Sequence, residues 1–139
     1  MINTARLKQW AAALCREVPG AAEAAATLGL GGNVVPRGDY ADLMPPPAGA
    51  SKLMIVNGHD GIGHVDVTLG DAHITRADLD AAFGSGSVLP RIGPGRPHKV
   101  AYHVAVQGAP FTCEVFGEFE EPPELSVAAT TIILRRDRA

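Results

Sequence analysis

Near the start of the chain, apolar residues recur at the three- and four-residue spacing of a helix. Leu7, Trp10, Ala11, Leu14 and Val18 form one stripe, Asn3 or Thr4 supplies a cap, and Pro19-Gly20 supplies a stop. A stripe of this width packs on the apolar face of a sheet in a small domain, with Trp10 as its anchor. Residues 21–28 have strong helical propensity but little bulk before Gly29-Leu30-Gly31-Gly32-Asn33, which predicts a short second helix and a turn. These glycines fit neither a dinucleotide fingerprint nor a phosphate loop.

Further along, the period falls to two. In residues 62–69, Val65, Val67 and Leu69 share one side, and His64, Asp66 and Thr68 share the other. Residues 52–57 form the preceding strand, and Gly58-His59-Asp60-Gly61 between the two predicts a hairpin. A second hairpin joins 99–106 to 111–116 across Gln107-Gly108-Ala109-Pro110. Past Phe111, the series Thr112, Glu114, Phe116 and Glu118 alternates with Cys113, Val115, Gly117 and Phe119. Thr75-Arg76-Ala77-Asp78 has capping-box spacing ahead of Leu79, Ala82 and Phe83, which predicts another short helix ended by Gly84-Ser85-Gly86. A last strand is expected over about 126–134.

Residues 34–51 interrupt this regularity with Pro36, Gly38, Pro45-Pro46-Pro47 and Gly49, and read as an excursion around the body. The order of elements predicts one α+β domain over 1–139. Its compact antiparallel or mixed sheet of about five strands packs against the N-terminal helix, because hairpins need only local connections. A sheet edge or the uncovered face then becomes available for self-association.

Composition refines this picture. The 139 residues are 46% hydrophobic and 19% charged, enough for a single core, although alanine supplies much of the apolar share and the few aromatics must fill the volume. A net charge of −3 disfavours nucleic acid and anionic membranes as partners. Arg91, Arg96, His98 and Lys99 nonetheless sit close together around one loop. No segment approaches the roughly 20 apolar residues of a membrane span, and the opening lacks a full signal-peptide hydrophobic region. Cys15 and Cys113, far apart and without metal spacing, read as buried small hydrophobes. They pair only if the fold brings their sides together, so the expectation is a reduced, cytoplasmic protein.

No nucleophile elbow, cysteine–histidine pair or acidic pair names a reaction. The polar strand faces are where a binding surface is to be sought. The expected role is a protein-binding or assembly module, with a protein partner or a second copy held at His64, Asp66, His103, Glu114 and Phe116. In this reading Phe116 anchors, the polar groups orient, and no cofactor is required. The alternative is a metal-dependent enzyme or metal-binding protein in which His59, His64, Asp66 and His103 hold a divalent metal, since imidazole and carboxylate are its common ligands.

Overall fold

A computed structural model describes residues 1–16, 20–58 and 61–138, and shows three helices covering one face of an eight-stranded antiparallel sheet. Helix α1 (Thr4–Leu14) begins where the Asn3 side chain accepts the Arg6 N–H at 2.9 Å, satisfying a donor that has no partner within the helix. Leu7, Trp10, Ala11 and Leu14 are buried as the spacing predicts; Val18 and Pro19 lie outside the described residues. The Trp10 indole donates to the Leu28 carbonyl at 3.1 Å, joining α1 to the end of α2 (Ala21–Thr27). Helix α3 (Arg76–Phe83) has the predicted capping box: Thr75 and Asp78 each accept the other's backbone N–H through their side chains. Gly84, at φ 89°, ends it.

The strands are β1 (Asn33–Pro36), β2 (Tyr40–Met44), β3 (Ala50–Gly58), β4 (Gly61–Leu69), β5 (Ser87–Val88), β6 (His98–Val104), β7 (Phe111–Phe119) and β8 (Thr131–Arg138). Their order is β1-β2-β3-β4-β8-β7-β6-β5, so two four-stranded meanders join through their last strands. This corrects the expectation of about five strands, and among the described residues every strand pair is antiparallel. The stretch 34–51 is also more than an excursion. The Arg37 N–H reaches the Tyr40 carbonyl at 2.7 Å, closing a tight turn at Gly38 (φ 85°), and the short segments on either side pair as β1 and β2.

The last strand starts later than predicted and runs through the arginines. Residues 124–129 instead wrap the start of α3, where the Arg76, Ala77 and Ala129 N–H groups donate to the Val127, Leu125 and Ile74 carbonyls. Arginines fit β8 because they alternate. Arg135 and Asp137 point to the open face, whereas Arg136 is buried and donates to the carbonyls of Ile62 (2.6 Å), Leu14 (3.0 Å) and Arg16, with its guanidinium 4.2 Å from the centre of the Phe111 ring. A cation at the C-terminal end of α1 complements its unpaired carbonyls.

The core lies between the helices and one sheet face, and unites Leu7, Trp10 and Leu79 with Leu53, Val67, Tyr102, Phe119 and Ile132. Beside it, Cys15 and Cys113 form a disulfide with Cα atoms 5.9 Å apart, which overturns the expectation of two reduced thiols. A helix end and a strand distant in sequence become neighbours only through tertiary packing. With the pairing, the cysteine argument for a cytoplasmic protein falls away. Among the described residues, no helix is long and apolar enough to cross a membrane.

Candidate functional site on the open sheet face

The sheet face away from the helices is set by strand alternation, and the ladder registers bring its residues into rows. One row runs His64, Arg135, Glu114, His103 across β4, β8, β7 and β6; the next runs Asp66, Ile133, Phe116, Ala101; a third runs Thr68, Thr131, Glu118, Lys99. All five predicted binding residues therefore lie on this one face. Tyr102 does not join Phe116 there. It is buried under α3, where its ring packs 5.9 Å from that of Phe83.

Among the five, His64 and Asp66 meet directly, with Nδ1 and Oδ1 2.5 Å apart. This contact orients the ring and leaves Nε2 facing away from the carboxylate. His103 is three strands from His64, about 14 Å at the usual strand spacing. His64, Asp66 and His103 therefore do not form one ligand set, and His59 lies outside the described residues. No group of three or more His, Cys, Asp or Glu side chains able to hold a metal occurs among the described residues.

What the face does hold is a cleft of about 460 Å³. Phe116 and Ile133 form its floor, His64, Lys99, Glu118 and Arg135 surround them, and the loop 89–97 makes the wall. The loop holds its own shape: Arg91 donates to the Arg96 carbonyl from Nε (3.0 Å) and Nη2 (2.8 Å), and Leu89 N–H donates to the Lys99 carbonyl. Lys99 Nζ sits 3.4 Å from a Glu118 oxygen and 5.5 Å from the centre of the Phe116 ring, so ion pair and cation–π contact fix one side of the floor. Arg135 grips Asp137 with two N–H groups. That hydrogen bonding, supplemented by the charges of Asp137 and Glu114, raises its pKa further and keeps it cationic.

Two predicted residues, His64 and Phe116, line the cleft; Asp66 supports His64, while Glu114 and His103 lie on the face beyond it. The basic group seen around residues 91–99 contributes Arg91, Arg96 and Lys99, but not His98. Ile133 and Arg135 were missed. Thr131-Ile132-Ile133-Leu134 shows no alternation, and only pairing with β4 and β7 assigns Ile133 to the open face. Among the described residues the site thus combines an apolar floor, four cationic side chains and one carboxylate, which suits recognition of an apolar group beside negative charge. Compared with protein-family models, curated proteins and solved structures, the chain shows no significant match to any.

Proposed function

We propose that this protein is a binding and assembly module that holds a protein segment against its open sheet face, with Phe116 as anchor. The observation that carries this reading is the cleft floor. Phe116 and Ile133 lie half-buried in the middle of a wide sheet, outside the core, in a concavity walled by a loop that is already ordered. A large aromatic in such a place gains apolar burial only when something covers it, and a preformed wall lowers the ordering cost of binding. His64, Asp66, Glu114 and His103 add polar selection around the anchor. The reading needs no cofactor. A divalent-metal role has less support, because of its three residues that are described only His64 and Asp66 meet.

The test is binding of a panel of short peptides to wild-type protein and to Phe116→Ala, with melting curves to confirm the fold. Peptides with a bulky apolar residue are expected to bind and to lose about thirtyfold in affinity in the variant, the ~2 kcal/mol of a hot-spot side chain. A panel without binders, or binders indifferent to Phe116, would sink the proposal.

A further inference from the structure

We propose that the cleft takes a second copy of this chain, whose acidic loop at residues 120–125 is its occupant. This rests on the binding role of the cleft and names what fills it. The loop Glu120-Glu121-Pro122-Pro123-Glu124-Leu125 shows the complement of the site. Glu120, Glu121 and Glu124 are exposed, and Leu125, 58% exposed, is one of the few large apolar side chains on the surface. The cleft has an apolar floor beneath Arg91, Arg96, Lys99 and Arg135, and among the described residues Glu118 is its one lining carboxylate. An apolar plug flanked by three carboxylates meets an apolar floor flanked by four cations, of which Lys99 and Arg135 also hold Glu118 and Asp137, in a chain whose net charge is −3.

Both partners are already ordered. The loop is pinned to α3 by Arg76 Nη1 donating to the Pro123 carbonyl at 2.8 Å and Ala77 N–H to the Leu125 carbonyl at 2.9 Å, and the cleft wall by Arg91 on the Arg96 carbonyl. Docking such surfaces costs little backbone entropy. Opposite charge supplies orientation and encounter rate, while Leu125 on Phe116 and Ile133 supplies burial. The sheet edges suit association less: β5 has two residues, and β1 has four, ending in Pro36. Because each copy carries both a loop and a cleft, the contact closes as a two-fold dimer when both pairs engage, and otherwise extends from copy to copy.

Sedimentation velocity over a range of concentrations tests this with exposed charge reversals that leave the core alone. Wild type is expected to associate, and added salt to weaken it. Arg96→Glu on the cleft, and Glu121→Lys with Glu124→Lys on the loop, should each weaken association about tenfold or more, since like charge then faces like charge. An equimolar mixture of the two variants should associate more strongly than either alone, because an intact loop meets an intact cleft. Leu125→Ser should weaken association without a change of charge. A wild type that stays monomeric, association untouched by the reversals, or a mixture no stronger than its components overturns the proposal. If wild type stays monomeric yet binds peptides through Phe116, the cleft keeps its binding role and only the second copy is lost. If it does neither, both readings fail.

Discussion

Tyr102 shows how much one side chain can tie together. It is buried from β6 against α3, and its hydroxyl donates to Asp80 at 2.6 Å, next to Arg76, whose Nε lies 3.7 Å from the same carboxylate. Burial first, then the hydrogen bond to and the charge of Asp80, push the phenol well above its ordinary value of 10. The unfolded chain releases this proton near pH 10, whereas the folded chain keeps it. The folded state thus binds the extra proton, and its advantage, intact below pH 10, is lost as pH rises. Denaturant titrations should show stability falling by up to ~1.4 kcal/mol per pH unit above that point from this group. In Tyr102→Phe that component should vanish, leaving a variant weaker at neutral pH by about 1 kcal/mol for the lost hydrogen bond.

At the scale of elements, α3 docks because β7 leaves room for it. A Cβ on Gly117 would lie 2.9 Å from Leu79 Cδ1 and 3.1 Å from Phe119 Cε1, so the bare backbone there is a seat for the helix. Gly117→Val should therefore destabilise by about 1–3 kcal/mol through overpacking, even though valine favours strands. A shift in the denaturation midpoint is the readout, and unchanged or raised stability would contradict the seat. Sequence reading at this scale succeeded where one element carried its own signal, as in the Thr75–Asp78 capping box and the alternation of Val65, Asp66 and Val67. It failed for β1, β2 and β5, which are too short to show a period and exist because a neighbouring strand completes their hydrogen bonds.

For the whole molecule, the features with the longest reach converge at the end of α1. Cys15 is bonded to Cys113 across 98 positions of sequence, and Arg136 holds the Leu14 and Arg16 carbonyls beside it. A cross-link closing so long a loop restricts the unfolded chain by about 4–5 kcal/mol in the entropic account. Reduction, or Cys15→Ser with Cys113→Ser, should lower stability by a sizeable part of that while the sheet persists. Chemical denaturation with and without reductant measures it, and equal midpoints would show that the bond adds nothing. The same clamp fastens the end of α1 to the sheet on the side opposite the cleft.

The sequence by itself determined which stretches became α1, α3, β3, β4, β6 and β7, and which side of each strand is apolar, because helical and strand periods are local properties of the chain. It also placed His64, Asp66, His103, Glu114 and Phe116 on one polar face, since alternation assigns faces before any partner is known. Only the tertiary structure decided that β8 lies between β4 and β7, that Cys15 meets Cys113, and that Ile133, Arg135 and the loop 89–97 complete a cleft around Phe116 and His64. Those relations depend on register and strand order between distant segments. Local spacing does not specify them; they follow from the packing that buries the common core.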